Sequence, residues 1–231
     1  MQTISIRHAR TADLAVEAIH QRPILVQFPT VFVLLAAPTA TGAAQLDALK
    51  TRLTGKNYGT AIGSLPKFIA QASPDNLPRA FSRAGHYRPL NGSFIRLPFR
   101  DRQFQSTTIR NGTHQGLLFP PGPFVQLFKR IESSFESYPP EAIWNGRNYC
   151  APLCTSCNVS GDPDGSIVDY AKAVTFAEAR GIGLFITTSR PSAERGSYPI
   201  LGFERDKISV HREGPGLDAL KTKIPANLVN W

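Results

Sequence analysis

The chain has 231 residues, with 26 Lys and Arg against 17 Asp and Glu, giving a formal charge of +9. Apolar residues make up 42% and charged residues 19%, with 19 Pro and 18 Gly. This composition suits one globular domain over 1–231 and excludes a collagen repeat, a coiled coil and a wholly disordered chain. The longest apolar run, 31–38, falls far short of the ~20 residues a membrane-spanning helix needs, so no membrane partner is expected.

In chain order, apolar spacing predicts a helix over 12–20, with Leu14, Ala15, Ala18 and Ile19 on one stripe and Pro23 beyond it. Two short runs, 24–28 and 31–37, are rich in branched and aromatic residues and predict buried strands. Thr41 is a candidate cap for a helix over 42–53 that Gly55 would end. A strand is expected over 58–62. A long loop follows over 71–92, where Pro, Ser, Asn and Arg dominate. Strands over 93–97 and 116–119 precede a helix over 124–135, and residues 137–149 read as loop. Asp162-Pro163 predicts the start of a helix running to Arg180, with Gly181 as its stop. Strands over 184–188 and 207–211 complete the list. Helices and strands mix without strict alternation, which predicts an α/β (α+β) domain with a twisted sheet.

The start of the chain lacks the long apolar segment of a secretory signal, so a cytoplasmic location is the expectation. On that basis the Asn-X-Ser/Thr triplets at Asn91, Asn111 and Asn158 carry no glycosylation argument. The charge favours a polyanionic partner such as RNA, DNA or a phosphorylated small molecule, although a basic solvated surface explains it equally well.

Several familiar chemistries are excluded by motif. Gly55-Lys56 is no P-loop, since Lys50 stands where the first glycine belongs and Asn57 replaces Ser or Thr. No G-x-G-x-x-G, H-E-x-x-H or G-x-S-x-G occurs. Cys150, Cys154 and Cys157 have the C-x3-C-x2-C spacing of a cluster-binding triad, in which three thiolates would hold a [4Fe–4S] cluster. That triad usually lies early in a barrel domain with an aromatic residue before its last cysteine, where this chain has Ser156. The nearest histidine, His114, is too distant in sequence to complete a compact zinc motif. Inert buried cysteines are expected and no metal site is assigned.

Two weaker patterns suit anions. Lys50, Arg52 and Lys56 form K-x-R-x3-K at a helix end, where they would bind phosphate or simply complement the helix dipole. Ser156, Asn158, Ser160 and Gly161 form S-x-N-x-S-G before the expected Asp162-Pro163 helix start. Hydroxyls, an amide and free N–H groups there suit a nucleotide, and equally suit a turn with an N-cap.

In order and spacing these pieces resemble the YrdC/Sua5 family over about residues 12–216. The matching features are Pro29-Thr30 after an apolar strand and the Lys50, Arg52, Lys56 group. Arg96-Leu97-Pro98, the S-x-N-x-S-G turn, Gly196-Ser197 and Arg212-Glu213-Gly214 complete them. The resemblance implies a single domain with a twisted mixed sheet and a concave basic cleft. It implies a nucleotidyltransferase that forms L-threonylcarbamoyl-adenylate from ATP, bicarbonate and threonine for tRNA modification, with Mg²⁺ accompanying ATP. Lys50 and Arg52 would then be catalytic. Lys56, Ser156, Asn158, Ser160, Ser197 and Arg212 would bind the nucleotide, and Thr30 the amino-acid substrate. One departure bears on the acceptor: where the family has polar residues after Pro-Thr, this chain has Val31-Phe32-Val33-Leu34-Leu35, and its apolar side chains offer no hydrogen bonds. The alternatives are a member using another amine or carbamoyl acceptor, or an RNA-binding module without catalysis.

Overall fold

The computed structural model describes residues 1–51, 57–143, 149–188 and 191–229. The chain opens with strand β1 (Gln2–Ser5), helix α1 (Thr11–Ile19), strands β2 (Ile24–Gln27) and β3 (Phe32–Ala36) and helix α2 (Ala40–Lys50). Strand β4 (Gly59–Ala61), helix α3 (Leu65–Ile69), strands β5 (Phe94–Pro98), β6 (Ile109–Arg110) and β7 (Thr113–Leu117) and helix α4 (Pro123–Phe135) follow. Strand β8 (Leu153–Ser156), helix α5 (Tyr170–Ala179), strands β9 (Leu184–Thr187), β10 (Ile200–Glu204) and β11 (Lys207–Arg212) and helix α6 (Leu217–Lys221) complete the order.

The eleven strands among the described residues form one mixed sheet in the order β1-β9-β2-β3-β8-β4-β7-β5-β10-β11, with β6 paired to β7. Strands β2 and β3 lie inside it and are buried along their whole length, which is why β3 reads as an unbroken apolar run and β2 is interrupted only by Gln27. Strand side chains alternate between the two faces, and the core divides accordingly. On one face Val33, Leu35, Ala61, Phe94, Leu117, Cys154 and Ile200 belong to a cluster with Ala15 and Ile19 of α1 and Leu127, Phe128, Ile131 and Phe135 of α4. On the other face Phe32, Leu34 and Leu153 pack with Ala43 and Leu46 of α2 and Phe176 of α5. Further along that second face Ile95, Leu97, Leu201 and Phe203 pack with Phe68, Phe81, Tyr87 and Leu90.

The predicted elements over 12–20, 24–28, 31–37, 58–62, 93–97, 124–135, 184–188 and 207–211 all have counterparts. Four expectations need correction. The helix expected from Asp162 begins only at Tyr170, capped by Asp169, whose carboxylate accepts from Lys172 N at 2.8 Å. Asp162 instead closes a turn: its carbonyl accepts from Gly165 N, its carboxylate from Asp164 N, and Gly165 has φ +74°. Helix α2 is capped by Thr39, not Thr41, and ends at Lys50, with Thr51 left-handed at φ 46°. The expected stop at Gly55 lies outside the described residues. The strand expected over 116–119 is shifted to Thr113–Leu117, and the 71–92 loop contains three 3-10 segments that bury Phe81, Tyr87 and Leu90. Strands β1, β6, β8 and β10 and helices α3 and α6 lacked a sequence prediction. No helix among the described residues is long and apolar enough to cross a membrane.

Candidate functional site

The strand order brings β8 beside β3 and β4, and β5 between β7 and β10. On the α1/α4 face, beyond the packed helices, the sheet leaves a hollow of about 340 Å³. Successive strands contribute alternate residues to it: Val33, Gly59, Phe94 and Arg96, Gln115 and Leu117, Cys154 and Ser156, Ile200, and Arg212. Gly59 creates depth, because a Cβ there would lie 2.5 Å from the Phe94 ring. Lys50, Asn158, Ser160, Gly161, Ser197 and Tyr198 complete much of the rim and walls.

The S-x-N-x-S-G turn is held from below by Lys50, the last residue of α2. Lys50 is only 2% exposed. Its Nζ donates to the carbonyls of Ser156 at 2.5 Å and Asn158 at 2.7 Å, and to Asn158 Oδ1 at 3.1 Å. Its own carbonyl accepts from Ser160 N at 2.8 Å. The Ser156 hydroxyl donates to Asn158 Oδ1 at 2.7 Å, and Cys157 N donates to Phe32 O. Lys50 therefore ties the end of one helix to a turn more than 100 residues away. Its ammonium faces these oxygens, so contact with a phosphate would require it to exchange one of them. No helix starts at Asp162, so the turn presents its own hydroxyls and amide to the hollow without a helix dipole behind them.

The opposite wall is cationic. Arg212 donates from Nε and Nη2 to Tyr198 O at 3.0 and 2.7 Å, and its guanidinium lies 5.8 Å from the centre of the Phe94 ring. Arg96 donates from Nε and Nη2 to Gln115 Oε1 at 3.2 and 2.7 Å. Burial pulls the pKa of both guanidiniums down, and for Arg212 the nearby Arg96 adds to this; both remain charged at neutral pH. Among the described residues lining the hollow there are three cationic side chains and no Asp or Glu. An arrangement of uncompensated guanidiniums, hydroxyls and an apolar floor is suited to an anion carrying a flat apolar group.

Of the residues singled out by sequence, Lys50, Ser156, Asn158, Ser160, Ser197 and Arg212 meet around this hollow. Ser197 is 2.6 Å from Ser166 through their hydroxyls, and the loop fits closely: a Cβ on Gly214 would lie 2.2 Å from Ser197 O. Arg52 and Lys56 lie outside the described residues. Thr30 is buried behind the wall, not part of the lining, and its carbonyl accepts from Gly196 N at 2.9 Å. The Thr30 and Tyr198 hydroxyls are close enough to influence one another but neither makes a well-formed hydrogen bond. Gln115, Asn57, Phe94 and Tyr198 were missed, and Arg96 entered only through Arg-x-Pro. Phe94, Arg96 and Gln115 are single residues on separate strands and Asn57 and Tyr198 lie in the segments just before strands, so no local spacing reveals them.

The three cysteines are buried and free. Cys154 belongs to the α1/α4-face core and Cys157 to the core on the opposite face, so the sheet separates them and they cannot share one cluster. Burial raises the Cys150 pKa to about 11 and those of Cys154 and Cys157 to about 12, leaving all three as thiols at neutral pH.

No protein-family profile and no curated protein sequence matches the chain. Its structure is similar to several solved ones. YciO of E. coli aligns with TM-score 0.63 at 13% identity, over 92% of this chain and 93% of YciO. The P. abyssi Sua5 structure complexed with L-threonine aligns with TM-score 0.70 at 13% identity, over all of this chain and 63% of Sua5. HypF of T. kodakarensis aligns with TM-score 0.63 at 14% identity, over 90% of this chain and 24% of HypF. The chain thus spans nearly the full length of YciO, somewhat under two thirds of Sua5 and a quarter of HypF. Its fold is of the YrdC/Sua5 type.

Proposed function

We propose that the hollow binds ATP and catalyses adenylylation of a carbamate formed from bicarbonate and an amine, with L-threonine as the reference acceptor. The observation that carries this reading is the meeting of Arg96 and Arg212 with the Ser156–Ser160 turn around one hollow whose described lining residues include no carboxylate. The fold supports it, since the structurally similar Sua5 is known as a complex with L-threonine.

In the proposed reaction the amine attacks bicarbonate and, with loss of water, gives a carbamate. A carbamate oxygen then attacks the α-phosphorus of ATP, the bond from that phosphorus to the bridging oxygen breaks, and pyrophosphate leaves with the electron pair. Such a step depends mainly on positioning and charge stabilisation, and it needs cations more than a protein nucleophile. Arg212 and Arg96 would stabilise the phosphate oxygens, with Arg52 and Lys56 as further expected phosphate ligands. Ser156, Asn158 and Ser160 would orient the nucleotide, Ser197 would close the far wall, and Lys50 would keep the turn in place. The described lining offers Mg²⁺ no carboxylate ligand, so the ion is assigned to the nucleotide substrate and not to a protein site.

The test is pyrophosphate release from MgATP and bicarbonate with a panel of amino acids and simple amines. The expected result is release that requires both bicarbonate and an amine. Release indifferent to bicarbonate, or none with any amine, contradicts the proposed reaction. Release with threonine alone settles the acceptor as threonine, and release only with another amine assigns the altered 31–35 segment to acceptor choice.

A further inference from the structure

The edge of the sheet beside the hollow contains an irregularity that the nucleotide reading does not use. Strands β10 and β11 pair Leu201 with Val210 and Gly202 with Ser209, but Ile200 with Arg212. His211 is thus the extra residue of a β-bulge, and bulges re-aim the side chains around them. Its imidazole lies across β10 over Gly202, where a Cβ would come within 2.2 Å of ring atoms Cε1 and Nε2. Only glycine leaves room for the ring there. Gly202 is in register with Arg96 on β5, and the ring spans that strand to place Nδ1 3.0 Å from Arg96 Nη1.

Arginine has only donors, so His211 Nδ1 must be the acceptor and the ring must be neutral with its proton on Nε2. Gln115 holds the other edge of the same guanidinium. Arg96 is therefore fixed from two sides by uncharged acceptors, which orient it without cancelling its charge. A carboxylate in either place would fix it equally well and would weaken its attraction for an anion.

We propose that His211 is a positioning residue that holds Arg96 in the hollow, and that protonation of its ring removes this support and weakens nucleotide binding. The inference rests on the nucleotide reading above. The charged groups acting on the ring are Arg96 on β5, Lys207 at the start of β11 and Glu204 at the end of β10, and Arg212 is the next residue along β11. Burial first, then Arg96 and Lys207, lower the His211 pKa, and Glu204 opposes them. The ring is neutral at pH 7. Protonation takes away the acceptor and places a second cation against Arg96. The ring is covered on the side facing Gly202 and Arg96 and is open to solvent elsewhere, so protons reach it from water.

Two measurements test this. Isothermal titration with ATP between pH 5.5 and 8 compares the wild type with His211→Gln and His211→Ala. The alanine variant should bind about tenfold more weakly than the wild type at pH 8, as expected for loss of a hydrogen bond to a charged group. The gap should close as the pH falls and the wild-type ring gains its proton. The glutamine variant keeps a neutral acceptor, so it should restore much of the affinity at pH 8. It should also lose less affinity than the wild type on acidification. In parallel, the His211 ring is titrated by NMR in the wild type and in Arg96→Gln, where its pKa should rise towards 6.5. Equal ATP affinity and equal pH profiles in all three proteins overturn the proposal. So does an unchanged His211 titration in Arg96→Gln. If no form binds ATP, the nucleotide reading fails, and the NMR comparison alone decides whether His211 and Arg96 are coupled.

Discussion

Lys50 shows how one side chain serves both folding and the site. Three acceptor oxygens surround its buried ammonium, so its removal strands carbonyls that have lost water and gained no substitute. Lys50→Met keeps the aliphatic stem and removes only the donors. This variant is expected to lose about 2–4 kcal/mol of stability, read from chemical denaturation, and to bind ATP more weakly. Unchanged stability would mean that the turn holds itself. The sequence marked Lys50 by its spacing with Arg52 and Lys56, which suggested a phosphate ligand. Its tie to Asn158 is a long-range contact that no local pattern encodes. Arg96 was visible only as part of Arg-x-Pro, and Gln115 and His211 carried no signal. Each acquires its place from strand register: Arg96 opposite Gln115, and Gly202 opposite Arg96.

Helix α4 illustrates what is legible in an element and what is not. Its extent over 124–135 was legible in the sequence, and in the structure Leu127, Phe128, Ile131 and Phe135 form its buried apolar stripe. The same stripe buries Glu132, which is only 4% exposed. The Glu132 Oε1 accepts from Gly63 N at 2.6 Å and Ser64 N at 3.1 Å, tying α4 to the start of α3. Burial outweighs these bonds and raises its pKa to about 7. In the unfolded chain the group ionises near 4.5, so between these values the folded state holds a proton that the unfolded state has released. Its contribution to stability is therefore full below about pH 4.5 and lost as pH rises through 7. Glu132→Gln keeps the accepting oxygen and removes the titration. Its melting temperature should match the wild type near pH 4.5 and exceed it by a few degrees above pH 7.5. A difference that does not vary with pH would contradict this. The α5 start was misread for a related reason. Asp-Pro is a common way into a helix, but here Gly161 and Gly165 at positive φ turn the chain first, and Asp169 supplies the cap. Strand β8, with the sequence Leu-Cys-Thr-Ser, is short and half polar, and Cys154, Thr155 and Ser156 all line the hollow.

Across the molecule, the sheet order accounts for the site. Residues 153–156 enter between β3 and β4, so the turn that follows them reaches the end of α2. The last two strands extend the sheet past β5 and bring Arg212 towards the same space. The chain order of motifs pointed to this arrangement through its resemblance to a known family, and composition alone would have given only a basic α/β domain. Charge is unevenly distributed: Arg79, Arg83, Arg88, Arg96, Arg100, Arg102 and Arg110 face only Asp75 and Asp101 over residues 71–112. Only Arg96 of these lines the hollow, so the excess charge on this stretch is mostly a surface property.

The most direct measurement is an isothermal titration of ATP into the wild type and into the double variant Arg96→Gln/Arg212→Gln, with melting temperatures recorded for both. One ATP per chain should bind the wild type, and the double variant should lose at least about tenfold in affinity while its melting temperature changes little. Equal affinity in the two proteins, or no binding to either, would contradict a nucleotide site between these arginines and the Ser156–Ser160 turn.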